Sequence, residues 1–376
     1  LADVMQPWSS LKQPYSSSII MNHFSKDRLT AVEAKEAAQR VAFGPVMFQA
    51  AQAMRKNGLL QTIRDAGKAG ITIEEAAAKS GLSHYGARVL MEAGLGMGAF
   101  LLNDDKYSIT KMGFFLLSDP LTNVNMNFID DVCYDGLAEL EESIATGKPE
   151  GLKVFGEWTT IYEALSKLPK QVQKSWFEFD HYYSDGSFPL VLPMVFATGV
   201  KKIIDIGGNT GKWSISCAQY APDIYVTIMD LPGQVSMAKE KIESLGLADR
   251  IQFHPVNILD EKQQFPKGHD GVWMSQFLDC FSDDEITSIL KRSNDAIDEN
   301  GYVFILENFW DCQRFEGAAF SLQMTSLYFT ALANGNSQMY DSKVFKKCIY
   351  DAGLKIEEQI DHIGEGGHTL LICRKQ

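Results

Sequence analysis

Basic charge is what this chain has least of. Its 35 Lys and Arg stand against 48 Asp and Glu, a formal net charge of −13, with the acids spread along all 376 residues rather than gathered in a tail. A protein that displaces counterions from a polyanion needs clustered Lys and Arg, so nucleic acid is disfavoured as a partner. Long apolar runs are missing as well. No stretch of eighteen apolar residues occurs, and no basic segment with a short apolar core opens the chain, which predicts a soluble, cytoplasmic protein with no membrane partner. The six cysteines (Cys133, Cys217, Cys280, Cys312, Cys348, Cys373) include no Cys-x-x-Cys pair. Neither a disulfide framework nor a zinc site is suggested; reduced, buried thiols are expected, and no metal is implied. Leu1 in place of an initiator Met is expected of a processed chain, and residues 1–25 read as a polar lead or arm.

From residue 28 to 58 apolar residues recur at helical spacing (Val41, Phe43, Val46, Met47, Ala50, Met54), interrupted by Gly44-Pro45, which predicts two helices. Residues 71–100 follow as a short helix, a turn at Gly81 and a second helix starting near Ser83. A hairpin turning at residues 103–106 and a further helix complete a winged-helix pattern. That pattern raises DNA binding, but the second helix offers only His84, Tyr85 and Arg88 as polar groups, too little positive charge for groove docking. Val89, Leu90, Met91 and Leu95 look like more apolar face than a small domain buries, so a protein-protein surface is expected instead. Residues 119–198 are mainly helical, with aromatics at Trp176, Phe177, Phe179, Tyr182 and Tyr183 around His181. This stretch is either a helix packed on the next domain or one wall of a pocket for a flat substrate, with Phe177 and His181 as contacts.

After residue 200 strands and helices alternate. Strands are expected at 203–206, 225–229, 251–256, 271–275, 302–307, 355–361 and 369–374, an α/β doubly wound sheet whose ligand lies beyond the carboxyl ends of its strands. The first strand runs into Gly207, Gly208 and Gly211, a turn where side chains are removed so that backbone can bend with positive φ or lie against a ligand. A dinucleotide fingerprint would need glycine at Asn209 and at Lys212, so that reading fails. What stands here is Asp-x-Gly-Gly-x-x-Gly from Asp205, with a second acid, Asp230, at the end of the next strand.

This acid-then-glycine turn resembles motif I of class I S-adenosylmethionine-dependent methyltransferases. From about Val41 onward the chain is similar to the O-methyltransferases of the plant caffeic-acid and hydroxyindole type, the segment FLDCFSDDEITSILK and the strand GYVFILEN included. The resemblance implies a Rossmann-like seven-stranded methyltransferase sheet behind an α-helical winged-helix dimerisation domain. The expected domains are 1–118 for dimerisation, 119–198 as a connecting segment lining the acceptor pocket, and 199–376 for the cofactor. It also implies a homodimer, S-adenosyl-L-methionine as cofactor, and methyl transfer to a hydroxyl, phenolic by expectation, of a small aromatic or polyketide-like substrate.

Carried over position by position, Gly207, Gly208, Asn209 and Gly211 cradle the cofactor with Asp205 facing its methionine part. Asp230 takes the ribose, and Leu231 lies against the adenine. Asn257 and Ile258 flank the adenine where the family has Asp and an apolar residue, and Ser275 stands where many members have Lys. Met324 and Tyr328 fall on a helix that lines the acceptor pocket, though a core reading fits them equally. Catalysis departs from the family most. The histidine that takes the substrate proton is Asp279, the first glutamate is kept as Glu307, and the second falls near Met339, beside Gln338. Ordinary aspartate is less basic than histidine by roughly 2.6 pKa units, about 3.5 kcal/mol of driving force. If Asp279 and Glu307 share one poorly solvated site, one of them holds a proton near neutrality and a usable base is restored. His181 is the alternative base; His254, His269 and His368 have no supporting pattern. Loss of the histidine and one glutamate leaves a second reading open, non-methylating hydroxylase- or decarboxylase-like chemistry with the cofactor bound. A third is a regulatory or scaffold protein using the winged helix.

Overall fold

The computed structural model describes residues 24–376; the lead expected over residues 1–25 lies almost wholly outside the described residues. The chain divides into two compact units. One comprises Asp27–Val132 with Pro169–Phe179, the other Cys133–Leu168 with Asp180–Gln376. The segment 119–198, read from the sequence as one connector, is therefore shared between them. The reason is local packing: the Phe179 ring stacks on Phe128 at 3.9 Å, and the Ser175 hydroxyl donates to Asp131 at 2.5 Å.

In the helical unit, α1 (Ala31–Ala42) and α2 (Gly44–Lys56) meet at Phe43, where Pro45 occupies the first turn of the new helix. Next come α3 (Leu59–Asp65), α4 (Ile73–Ser80) and α5 (His84–Met97). Thr30 and Thr72 cap α1 and α4 through reciprocal bonds with Glu33 and Glu75. Strands β1 (Phe100–Asn103) and β2 (Lys106–Ile109) pair antiparallel across Asp104 and Asp105, both at positive φ (45° and 63°), as a two-residue hairpin requires. Helices α6 (Lys111–Ser118) and α7 (Pro120–Phe128) follow.

The expected apolar surplus of α5 is not where the sequence placed it. Met91 is fully buried, Leu90 and Leu95 pack against the same core, and only Val89 is exposed. The exposed apolar residues of this unit include instead Val32 and Val41 on α1, which buries no residue, Phe43 and Val46 just after it, Leu101 and Leu102 on β1, and Phe114 and Phe115 on α6. His84, one of the polar groups of α5, is paired with Glu74 at 3.1 Å, which lowers its value to a phosphate backbone further.

The second unit is built on seven strands: β3 (Lys202–Ile206), β4 (Tyr225–Asp230), β5 (Ile251–Pro255), β6 (His269–Ser275), β7 (Ile297–Glu307), β8 (Leu354–Ile363) and β9 (His368–Lys375). Their order is β5-β4-β3-β6-β7-β9-β8. All run parallel except β9, which is antiparallel to both neighbours. The sequence reading had seven strands but no reversal. Residues 364–367 are too few for a crossover, so β8 and β9 must form a hairpin. Alternate residues go to opposite faces: Ile204, Ile206, Val272, Met274, Val303 and Ile305 to one core, Ile203, Trp273, Phe304 and Leu306 to the other. Both faces are covered, which is why these strands read as continuous apolar runs.

The last residues of α8 (Lys170–Ser184) belong to this unit, and its helices include α9 (Phe188–Phe196), α10 (Lys212–Tyr220) and α11 (Pro232–Ser244). α12 (Asp283–Ala296), α13 (Glu316–Tyr328) and α14 (Ser342–Asp351) complete the set. α13 runs on into a π-turn at Phe329–Ala333, a backbone irregularity that recurs at functional sites. The chain leaves β3 to one side for β4 and β5, then crosses to the other side for β6. The carboxyl ends of β3 and β6 thus flank the switch point, where a ligand crevice opens.

Candidate active site

At that switch point β3 ends in Asp205, which is 2% exposed and accepts the Ser214 hydroxyl from α10 at 2.5 Å. Burial is the main force on its carboxyl and pushes it up to about 7. Gly207 follows at φ +73°, and a Cβ there would sit 2.2 Å from the Phe277 ring. At Gly208 it would lie 2.9 Å from Ile228 and 3.0 Å from the Asp205 carboxylate. The bare backbone is therefore a packing necessity as well as a conformational one. Asn209 takes φ +46° without being glycine, and its N–H donates to Asp230 Oδ2 at 2.8 Å. Leu231 N–H donates to the other oxygen at 2.7 Å. Asp230 thus stands fixed at the end of β4 with one N–H on each oxygen and acceptor capacity left on both. Its pKa is raised, by burial first, against the lowering effect of those two N–H bonds.

The remaining cofactor-side residues fare unequally. Leu231, half-buried, opens α11. Ser275 ends β6, and its hydroxyl oxygen is enclosed without a hydrogen-bond partner; so is Oε1 of the next residue, Gln276, at φ +45°. Asn257 is exposed, and its Oδ1 already accepts Leu259 N–H at 3.1 Å, closing its own turn. Ile258 belongs to the core under the sheet, which leaves little of its side chain to flank a ligand. A glycine cradle, an oriented carboxylate and enclosed polar atoms awaiting partners fit a nucleoside-bearing cofactor.

Beyond β6 the chain makes a short turn, Leu278–Cys280, carrying Asp279, 6% exposed. Glu307 ends the neighbouring β7 at 1% exposed. Its Oε1 accepts N–H from Phe277 (3.0 Å) and Leu278 (2.9 Å), while Oε2 has no partner. Asp279 Oδ1 accepts the Cys280 thiol at 3.4 Å. Burial, with the charge of Asp180 adding to it, pushes the Asp279 carboxyl up to about 7. Burial and then the charge of Asp279 hold Glu307 well above the ordinary carboxylate range. The two carboxyls expected to share a poorly solvated site do share one. Both side-chain atoms of Asn308, buried beside Glu307 in sequence, are also without partners.

Three residues the sequence reading did not single out join this group. Asp180, near the end of α8, keeps 29% of its side chain exposed yet is crowded enough that burial raises it to about 6, against the lowering effect of His181. Tyr162 is raised far above the ordinary phenol, by burial first and then by Cys280, Tyr328 and Asp279; its hydroxyl is enclosed, with the Cys280 thiol as its polar neighbour. Cys280 is raised likewise, by burial and then by Asp279.

His181 sits between acids, Nδ1 3.8 Å from Asp180 on its own helix and 3.7 Å from Asp185 just past its end. From α8, the charge of Asp180 bears on Asp279. Tyr328, buried at the end of α13, joins the group through Tyr162, whereas Met324 on the same helix is 46% exposed. Phe177 belongs to the helical unit, edge-on to Trp176. Where the second family glutamate would fall, Met339 is buried and Gln338 exposed. Among the described residues no three His, Cys, Asp or Glu side chains converge as a metal site.

Comparison with known proteins adds a second line of observation. A dimerisation2-like domain matches residues 35–107, and an O-methyltransferase domain matches residues 138–355. L-tyrosine C(3)-methyltransferase of Streptomyces lavendulae is 26% identical over 341 residues, covering 89% of this chain and 91% of that protein. The 3-hydroxy-5-methyl-1-naphthoate 3-O-methyltransferase of Streptomyces sahachiroi is 25% identical over 249 residues, 62% of this chain and 66% of that one. Among solved structures, the S-adenosylmethionine-dependent methyltransferase SibL in its apo form shares the fold at a TM-score of 0.70 and 24% identity, covering 90% of this chain and 99% of that one. Human N-acetylserotonin methyltransferase in complex with SAM does so at 0.62 and 16%, covering 94% and 99%.

Proposed function

The chain belongs to the O-methyltransferase family, and from that premise we propose that it methylates a small phenolic molecule with Asp279 taking the phenolic proton. It is an S-adenosylmethionine-dependent methyltransferase. When bound, the cofactor supplies an electrophilic methyl group on sulfur. In this reading Gly207, Gly208, Asn209 and Gly211 hold it, Asp230 takes the ribose hydroxyls on its remaining lone pairs, Leu231 lies against the adenine, and Ser275 and Gln276 supply the enclosed polar atoms.

The observation that carries the acceptor side is the pairing of Asp279 with Glu307 at the ends of β6 and β7. A phenol ionises near 10 and an ordinary aspartate near 3.9, a mismatch of about six units that makes aspartate a poor base. At about 7, Asp279 recovers roughly three of them, on the order of 4 kcal/mol of proton-transfer driving force. Glu307, held by two backbone N–H groups, fixes the turn that carries Asp279.

A phenolate is nucleophilic at oxygen and at the ring carbon ortho to it. The hydroxyl is the first acceptor proposed. The ortho carbon is the second, favoured by the tyrosine C(3)-methyltransferase that matches 89% of this chain. Carbon methylation also requires loss of the ring hydrogen, for which Glu307, with Oε2 unpartnered, provides a second carboxylate. The methyltransferases named above support methylation over hydroxylase- or decarboxylase-like chemistry.

The exposed Val41, Phe43, Val46, Leu101 and Leu102, all within the dimerisation2-like match, support a homodimer. No described helix is long and apolar enough to cross a membrane, and a cytoplasmic location is proposed on that and on the reduced cysteines. Incubation with methyl-labelled cofactor and a panel containing tyrosine and hydroxynaphthoates tests the reading, with NMR distinguishing O-methyl from C-methyl products. Absence of label in every phenol while an amine or thiol is labelled would overturn it.

A further inference from the structure

We infer that Asp180 is a positioning residue that joins the cofactor turn to the acceptor side, its carboxylate anchoring Asn209 and acting through charge on Asp279. The inference rests on the reading of Asp279 as the base. Asn209 is the hinge of the connection. It holds the left-handed backbone of the glycine turn, gives its N–H to Asp230 at 2.8 Å, and turns its side-chain amide to Asp180 Oδ2 at 3.4 Å. One residue therefore spans the carboxylate of β4 and the carboxylate of α8. From α8, Asp180 also bears on Asp279 in the turn after β6.

The charges around this pair do not balance. Asp180 is faced by His181 on its own helix and Asp185 just past its end, by Asn209 and Lys212 from the glycine turn and α10, and by Asp279. Lys212 is already bonded to Asp185. Asp279 is faced by Cys280 beside it, Glu307 from β7, Asp180 from α8, Tyr162 from the segment before α8 and Tyr340. Four carboxyls thus meet one lysine and one histidine. Asp185, partly desolvated, is nonetheless lowered by its bonds to His181 and Lys212; at Asp180, Asp279 and Glu307 burial favours the protonated forms, and a cation placed among them favours the ionised ones. The sulfonium of S-adenosylmethionine is such a cation, and the thioether of S-adenosylhomocysteine is not. Asp180 gives the site a means of telling donor from product by charge: binding the donor expels protons that binding the product does not.

Calorimetry of both nucleosides, in buffers of differing ionisation heat between pH 6 and 8, reads this directly and needs no acceptor. In the wild type, near pH 7, the donor releases more protons than the product, and its relative affinity rises several-fold from pH 6 to 8. Asp180→Asn, nearly isosteric, at least halves that difference and moves the acidic limb of the turnover profile down by roughly 0.5–1 unit, because a like charge beside Asp279 is gone. Asp180→Glu restores the coupling in part. Should Asp180→Asn fail to fold, Asn209→Gly decides, since it keeps the left-handed backbone while removing the amide; it too diminishes the donor-product difference. Equal proton release by the two nucleosides in the wild type overturns the inference, as does a difference unchanged in Asp180→Asn or in Asn209→Gly. Failure to methylate any phenol defeats the proposed acceptor chemistry and leaves these proton counts readable.

Discussion

Replacing Gly207 by alanine puts a methyl group where the fold has left no room for one. The backbone there stands at φ +73°, a left-handed conformation costing an L-residue roughly 1–2 kcal/mol. The new Cβ meets Phe277 Cδ2 at 2.2 Å, so the ring has to move, and overpacking of that kind costs about 1–3 kcal/mol. Together these predict a loss of about 2–5 kcal/mol. The displacement also propagates, because Phe277 N–H is one of the two donors that fix Glu307. Urea unfolding measures the first effect, calorimetry with S-adenosylhomocysteine the damage to the cradle, and turnover the damage to the acceptor side. A double-mutant cycle separates the two causes: Phe277→Ala, which removes both Cγ and the ring, relieves the clash in the Gly207→Ala background and leaves the backbone strain. Wild-type stability and affinity in Gly207→Ala would refute the packing described at this turn. Full recovery in the double mutant would refute the backbone component.

Asp279→Asn is expected to lower kcat by about 10²-fold or more while leaving S-adenosylhomocysteine affinity within a few-fold, and to abolish the ionisation near neutrality in the turnover profile; an unchanged profile excludes Asp279 as the base. The same variant should gain stability at high pH. The Asp279 carboxyl rises from an unfolded value near 3.9 to about 7, so the folded chain holds a proton the unfolded chain has lost, and the stability tied to it, present below about 3.9, disappears by about pH 7. Asparagine escapes that loss, and urea midpoints of variant and wild type should diverge between pH 5 and 8. His368 carries the opposite sign. Fully buried against Ser187 at 2.9 Å and lowered to about 4, it leaves stability intact above its unfolded value of about 6.5 and withdraws up to roughly 3 kcal/mol as pH falls to 4. His368→Gln should flatten that acid slope, and an identical slope would mean that His368 does not titrate across it. Val41→Lys with Val46→Lys should shift the chain to a monomer in analytical ultracentrifugation; an unaltered dimer would place the interface away from α1 and the start of α2.

What the sequence disclosed, it disclosed where the determinants are local. Asp205, the glycines and Asp230 fall within 26 residues of one another, and a tight turn at the end of a buried strand admits few residue types. The hairpin at Asp104-Asp105 is similarly self-contained. Asp180 stayed hidden because helical periodicity sorts the faces of α8 but does not say which residue bears on Asp279, about a hundred positions later. Tyr162 gave no signal for the same reason: an enclosed phenol is recognised only by what encloses it. The error over Leu90, Met91 and Leu95 has a different origin. An apolar stripe says that something will cover it, and here the cover is the same unit's own core. Ile258 likewise has the character of a ligand contact and the position of a core residue.

The reversal of β9 bears on how this protein is made. It is the last strand of the sheet to leave the ribosome, yet it lies between β7 and β8 rather than at the margin. Until it arrives, β7 presents an unpaired outer edge and β8 has no neighbour at all, although Val303, Phe304, Ile305 and Leu306 are already available to attract other chains. Emergence of His368–Lys375 is therefore the step that pairs the exposed edge of β7 and gives β8 its neighbour. A chain ended before that point is expected to be aggregation-prone, which the soluble yield of a version stopped before His368, set beside that of the full chain, would check.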